Sequence, residues 1–558
     1  MRKIWLSNYP ADVPHEIDAD RYASLVDLCE QAWRCFPDNR AFGNFSTYLS
    51  YSDIDRLSGA FAAYLQHELA VKPGDRIAIM LPNTLQYPVA ILGILRAGAV
   101  VVNTNPQYTP RELRHQLNDA GAQCIIVFKS MLPGLHKIIK QTALRSIITT
   151  ELGDLFPFPK SLLYNSVARR RASKFSATFE FALVSFKSAL KLGLKAPFEP
   201  PPIAPQDLAF LQYTGGTTGV SKGAMLTHRN MIANVLQGAS WFEASVDKGR
   251  EIMITALPLY HIYALTANCF GIFYHGGMNY LITDPRDMTR FIKEIASVPF
   301  TAITGVNTLF NALLAHRDIG TVDFSHLKYT SGGGMAIQTA VAEAWHALTG
   351  KIISEGYGLT EASPVVCVNP FDLEEFSGCI GLPVPSTECR IVDDIGAEVE
   401  IGNPGELQVR GPQIMRGYWQ RPDETAEVLN GNGWLRTGDI AVMREDGYFK
   451  IVDRKKDMIL VSGFNVYPSE IEDIVAIHAG VAEVAAIGVA DDKTSEAVKI
   501  VVVRKDPDLD AQDLITHCRE QLTGYKVPRH VEFVNELPKS NIGKILRRIV
   551  RERYGSSP

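Results

Sequence analysis

A chain of 558 residues, 46% hydrophobic and 21% charged, is too long for one hydrophobic core and has the composition of a globular protein with two or more domains. Its formal net charge of −5 leaves no basic footprint, so nucleic acid is excluded as an expected partner. The 8 cysteines are scattered without a CxxC pair, which points away from zinc or dithiol redox chemistry and toward buried, reduced thiols.

The N-terminal MRKIWLSNYPADVPHEID has basic residues but no apolar run behind them, and Pro10 and Pro14 interrupt it, so no signal peptide is expected. Arg76–Met80 and Gln123–Val127 are short apolar runs bounded by turn residues, the pattern of buried strands. Between them, the most apolar stretch, Tyr87 to Val102, is broken by Arg96 and two glycines and is too short to span a bilayer. It reads as a buried helix running into a strand over Val100–Asn103. Pro110–Asp119 reads as an amphipathic helix opened by its proline. This alternation predicts an α/β fold: a large N-terminal domain of several subdomains with partly parallel sheets.

Phe156 to Pro205 leaves that rhythm and ends in a proline cluster. Between Lys160 and Lys195, Arg169, Arg170, Arg171 and Lys174 interleave with Tyr164, Phe175 and Phe179, and Glu180 is the single acid. Such a segment can lie on an anionic membrane surface. A solvated surface excursion with aromatics packed beneath is the alternative, and both stay open. A second boundary falls near Asp453–Asp457. Beyond it a helix over Ser469–Ala479 capped by Ser469, strands over Val484–Val489 and Ala497–Val503, and a helix over Asp510–Leu522 predict a small α+β domain.

The strongest local signal is Tyr213–His228, YTGGTTGVSKGAMLTH. Glycines let backbone N–H groups approach phosphate oxygens, threonine hydroxyls add donors, and Lys222 adds a positive charge. The spacing is not that of a Walker A loop. Gly219–Gly223 (GVSKG) fits the G-x-S-x-G elbow of hydrolases, but it falls inside this string, so Ser221 reads as a loop hydroxyl.

The string resembles the phosphate loop of the adenylate-forming superfamily, which includes acyl-CoA synthetases, luciferases and peptide-synthetase adenylation domains. Leu257–His261 (LPLYH), Ser331–Gly334 (SGGG), Tyr357–Pro364 (YGLTEASP), Gly433–Asp439 (GWLRTGD), Asp453–Pro468 and Pro538–Arg547 follow in that family's order. Within it, the block Gly433–Pro468 is similar to the signature of long-chain fatty-acyl-CoA synthetases, with Arg436 where that signature usually has histidine. The resemblance implies ATP, Mg²⁺ and coenzyme A as reactants or cofactors and a long-chain fatty acid as substrate, with β-oxidation downstream. Other carboxylic acids, transfer to a carrier protein, and a non-catalytic binder are its competitors.

The resemblance also implies roles. Thr214, Gly215, Gly216, Thr217, Thr218, Gly219 and Lys222 would hold phosphates. Gly332, Gly333, Gly334, Tyr357 and Gly358 would form the adenine slot. Thr360 would donate to phosphate, and Glu361 would hold Mg²⁺. Asp439 and Arg454 would take the ribose. Lys544, Thr214, Glu361 and Lys456 would be the catalytic set. Tyr260, His261, Gly305 and Val306 would lie along the acyl group, with Phe300–Leu314 as tunnel wall. The implied domains are 1–453 and 457–558, joined by a hinge at 454–456. The small domain would present Lys544 for one half-reaction and Gly463 and Phe464 beside coenzyme A for the other. A cytoplasmic location is expected. Peripheral contact with the inner face of the membrane and homodimer formation stay open.

Overall fold

The computed structural model describes residues 3–171, 179, 181, 183–214, 221–491, 493–540 and 543–555, with the backbone alone for 167–171 and 244. Lys174, Phe175 and Glu180 of the basic segment fall outside it, as do Gly215, Gly216, Thr217, Thr218 and Gly219 of the glycine-rich string.

Two large sheets with helices packed against them account for most of the chain. The first orders its strands as Leu183–Ser185, Ser146–Thr150, Cys124–Phe128, Arg76–Met80, Val100–Asn103, Leu208–Thr214 and Lys222–Thr227. All neighbours are parallel except the last pair. Its strands are apolar on both faces because helices cover both. The second sheet has nine strands, with a parallel centre formed by Met278–Leu281, Ile252–Thr255, Ala302–Gly305, Tyr329–Gly333 and Ile353–Gly358. A third, antiparallel sheet runs through Glu388–Val392, Gly405–Arg410, Leu435–Met443 and Phe449–Arg454.

The last hundred residues form a separate five-stranded sheet with its own core of Ile459, Val466, Ile471, Val475, Ile500 and Leu514. The α/β class predicted from the sequence is the class observed.

Local expectations hold with small shifts. The helix predicted at Pro110 runs Pro110–Ala120 and opens with a reciprocal cap between Thr109 and Glu112. The helix predicted to be capped by Ser469 instead starts at Pro468. Ser469 sits in its first turn, and its backbone N–H is accepted by Asp453 Oδ2 at 2.7 Å, so the cap is supplied from a distant strand. Phe156–Pro205 does not leave the α/β pattern throughout. Leu183–Ser185 adds a parallel edge strand, and the helix Phe186–Gly193 packs on Tyr51–His67, with the Phe61 and Phe186 rings 4.9 Å apart. A three-residue edge strand is too short to show as an apolar run. Among the described residues no helix is long and apolar enough to cross a membrane.

Candidate active site

In open α/β sheets ligands lie beyond the carboxyl ends of the strands, where helices diverge. Here the strands Leu208–Thr214, Tyr329–Gly333 and Ile353–Gly358 all deliver their C-terminal residues to one cleft of about 2870 Å³. Thr214, Lys222, Gly333, Gly334, Tyr357 and Glu361 line it, as do Asp439, Arg454, Lys456 and Lys544. Residues separated by more than three hundred positions therefore share one cavity.

The glycine-rich string connects two antiparallel strands that pair Thr214 with Lys222. Ser221 precedes a strand rather than following one, so it is not on a strand-to-helix elbow. The Lys222 ammonium lies 5.2 Å from the Tyr418 ring centroid, and the Tyr418 hydroxyl donates to Glu361 Oε1 at 2.6 Å. Below this end, Tyr213 donates to Asp119 at 2.7 Å and Arg421 pairs with the same carboxylate at 2.9 Å.

At the other end, the Tyr357 hydroxyl donates to Asp439 Oδ2 at 2.5 Å. Asp439 and Arg454 face each other across neighbouring antiparallel strands, with Arg454 Nε 3.4 Å from Asp439 Oδ1. Gly334 has φ +78°, in the left-handed region open to glycine, where the strand Tyr329–Gly333 turns away from the cleft. Gly332 is packed in the sheet rather than lining the cleft. A Cβ there would sit 2.8 Å from both Ile337 and Ile353.

Tyr260 and His261 are fixed by a buried relay. Tyr87 donates to Asn103 at 2.8 Å, Asn103 to Gln212 at 3.0 Å, and Gln212 to the Tyr260 carbonyl at 2.6 Å. Burial, and then the charge of Lys544, push the His261 imidazole down to about 4, so it is neutral at physiological pH. Just before Lys544, the Gly543 N–H donates to the Ser540 carbonyl at 2.9 Å. Gly543 has φ +80°, and a Cβ there would overlap the Thr308 hydroxyl of the large domain. Gly543 is thus docked against the large domain. Burial and then the Arg454 guanidinium push Lys544 down to about 8, and burial pushes Lys456 down to about 8 as well.

Besides Gly332, four further expected positions lie elsewhere. Gly305 and Val306 are buried behind the wall, and of Phe300–Leu314 only Thr304 and Asn307 line the cleft. Phe300, Phe310 and Leu313 belong to the core, which periodicity cannot distinguish from a cavity wall. Gly463 lies in the turn of a hairpin on the small domain and Phe464 opens its second strand, both outside the cleft. Phe464 is exposed there, with its ring stacked 4.8 Å from Tyr525. Arg436 pairs with the buried carboxylate of Glu406 at 2.9 Å, which Lys455 also approaches at 3.5 Å.

No motif or periodicity marks the cleft's second arm. It runs between the helix His228–Phe242 and the π-helical segment Ala264–Phe270 that leads into Gly271–Tyr274. Gly238, Ala239, Ala267 and Gly271 line it, and a Cβ added at Gly238 would meet nothing within 4 Å. π-helical turns recur at functional sites. The whole cleft therefore combines a cationic end, an aromatic and glycine slot beside a buried carboxylate, and an apolar arm.

Residues 29–419 match the family model described as AMP-binding enzyme, and residues 470–544 match that of the AMP-binding enzyme C-terminal domain. The chain is 57% identical to a long-chain-fatty-acid–CoA ligase of Escherichia coli O157:H7, over 99% of this chain and 98% of the relative. It is 56% identical to the enzyme of the same name from Salmonella typhimurium (strain LT2), with the same coverage. Its fold is similar to the crystal structure of the anthranilate CoA ligase AuaEII in complex with anthranoyl-AMP, with a TM-score of 0.84, 25% identity and coverage of 96% of this chain and 99% of that one. With both family models matched in order and the cleft lying where their motifs converge, the chain belongs to the AMP-binding enzyme family.

Proposed function

We propose that this protein is a long-chain-fatty-acid–CoA ligase. It converts a fatty acid and ATP to acyl-adenylate and pyrophosphate, then transfers the acyl group to coenzyme A with release of AMP. The observation that carries this reading is the apolar arm opening from the same cleft as Lys222, Asp439, Arg454 and Lys544. Near-complete coverage of curated relatives bearing that name supports it.

In the first step the fatty-acid carboxylate attacks the α-phosphorus. Two anions must meet, so catalysis is positioning plus stabilisation by fixed charge. Lys544 and Lys222 supply ammonium groups, and Thr214 and Thr360 supply hydroxyl donors. Asp439, oriented by Tyr357, accepts from the ribose hydroxyls, while Arg454 stands beside it. Neutral His261 needs no role as a base, because the nucleophile is already ionised. Among the described residues no group of three or more His, Cys, Asp or Glu could hold a metal unaided. Mg²⁺, however, commonly takes one or two carboxylates together with substrate phosphates. Glu361, lining the cleft with one oxygen engaged by Tyr418, fits that donor set. Bound there, Mg²⁺ would neutralise phosphate charge.

For the second step the small domain rotates about 454–456, withdrawing Lys544 and bringing Gly463 and Phe464 toward the acyl-adenylate. Exposed Phe158, just before the helix Lys160–Arg171, and exposed Leu162 and Leu163 within it support peripheral contact with an anionic lipid surface, where the substrate is dissolved.

The test is AMP release by purified protein with ATP, Mg²⁺ and coenzyme A, across saturated acids from acetate to stearate. Release that rises toward the long acids and requires coenzyme A is expected. Release confined to short or aromatic acids would discard the lipid, and none with any acid would discard the ligase.

A further inference from the structure

The apolar arm ends at two polar side chains that have no partner. From Ser331 and Gly333 it follows the strand Tyr329–Gly333 backward, four residues or about 13 Å at about 3.3 Å per residue. There Met253, Ala302 and Tyr329 stand in register across adjacent parallel strands, with Phe242 and Val246 opposite. Tyr329 and His275 both line the cavity, and each is only 3% exposed. The Tyr329 hydroxyl makes no hydrogen bond, and neither does Nδ1 or Nε2 of His275.

Buried polar groups are nearly always satisfied, because an unpaired one has lost its water without gaining a partner. Two buried side chains with unpaired hydrogen-bonding atoms lining one apolar channel therefore point to a ligand group that bonds the Tyr329 hydroxyl and one His275 nitrogen. The neighbouring charges are already engaged. Glu251 accepts from Asp247 N–H at 2.8 Å and Lys328 at 2.5 Å, and Lys248 pairs with Glu243 at 2.5 Å. Burial pushes the His275 imidazole down to about 4, so it offers one N–H donor and one acceptor nitrogen. A tyrosine hydroxyl also donates and accepts. A neutral hydroxyl matches this pair. A second carboxylate does not, because burying its charge among neutral groups is costly.

We propose that the end of the arm recognises a hydroxyl group carried at the ω-end of the acyl chain, with Tyr329 and His275 as its hydrogen-bond partners. This rests on the acyl-chain reading of the arm and extends the substrate class to ω-hydroxy fatty acids.

The experiment compares kcat/KM for matched pairs of unsubstituted and ω-hydroxy acids from octanoate to hexadecanoate, in the full-length enzyme with ATP, Mg²⁺ and coenzyme A. An apolar channel disfavours the hydroxyl at most lengths. At the length that brings it to Tyr329 and His275, the ratio of hydroxy to unsubstituted acid recovers about tenfold. Tyr329→Phe and His275→Leu each remove that recovery from the ratio. A ratio that stays flat with length in the wild type overturns the inference while leaving the ligase intact. So does a recovery that survives in both variants. If no unsubstituted acid is turned over, the ligase reading falls and this inference with it. The wild-type series decides the matter even where a variant fails to fold.

Discussion

Lys544 carries its charge in surroundings that oppose it. Burial and Arg454 hold its pKa near 8 against the ordinary 10.5, with Asp439 and Asp457 pulling the other way. Between those two values the docked lysine binds fewer protons than a solvated one. Docking without substrate is therefore disfavoured below about pH 8, and the penalty is relieved as pH rises. Anionic phosphates reverse this, restoring the proton and favouring the docked state. The kcat/KM for ATP, which reports the free enzyme, is expected to fall as pH rises through about 8. The kcat for adenylation should lose its activity only at higher pH. Because Lys456 is also held near 8, the same profile in Lys456→Ala assigns the limb: persistence gives it to Lys544, disappearance to Lys456. Lys544→Ala should lower adenylation by about 10²–10³-fold while sparing thioester formation from supplied acyl-adenylate. Equal loss of both half-reactions would remove the residue from its assigned step.

Helices decide how much of the substrate the protein can hold. The arm exists because Gly238 and Gly271 leave space where a larger side chain would project. Gly238→Leu should block it, with palmitate losing about tenfold in kcat/KM relative to octanoate for roughly two methylenes left unburied. An unchanged chain-length profile would place the acyl chain elsewhere. Elements of this kind were the least legible in the sequence. The strands at Arg76 and Val100, the helix at Pro110 and the motifs ending at Thr214 and Tyr357 announce themselves through apolar runs, turn residues and glycine spacing. Gly238, on a helix buried along most of its length, reads as ordinary core, and a void leaves no periodicity. The resemblance implied Phe300–Leu314, an apolar stretch rich in small residues, as the wall. The structure spends most of those side chains on the core, leaves Thr304 and Asn307 at the cleft, and draws small residues such as Gly238 and Gly271 from helices for the arm.

At the scale of the whole molecule, one guanidinium stands where the two domains meet. Arg547, at the start of the last helix, pairs with Glu472 of the helix Pro468–Ala476 and lies 3.2 Å from Asp453 on the last strand of the antiparallel sheet. It also donates to Ser469 Oγ at 3.0 Å, while Asp453 caps the Ser469 N–H. Lys544 was legible as a motif residue from its PKSNIGK string, but its approach to a cleft built three hundred residues earlier was not, because that depends on this docking. If rotation occurs about 454–456, Asp453 stays with the large domain and both of its contacts to the small domain break. Asp453 is then a latch for the orientation that presents Lys544. Asp453→Asn keeps an oxygen for the Ser469 N–H but removes the charge facing Arg547. Breaking one partner of a buried ion pair costs about 3–5 kcal/mol when the other charge is stranded, and less here because Glu472 still holds Arg547. The variant should therefore slow adenylation about tenfold or more, with thioester formation from supplied acyl-adenylate unchanged or faster. Single-turnover rates for the two half-reactions measure this directly. A parallel fall in both would make the contact a general brace of the small domain, and no change in either would remove Asp453 from the control of its rotation.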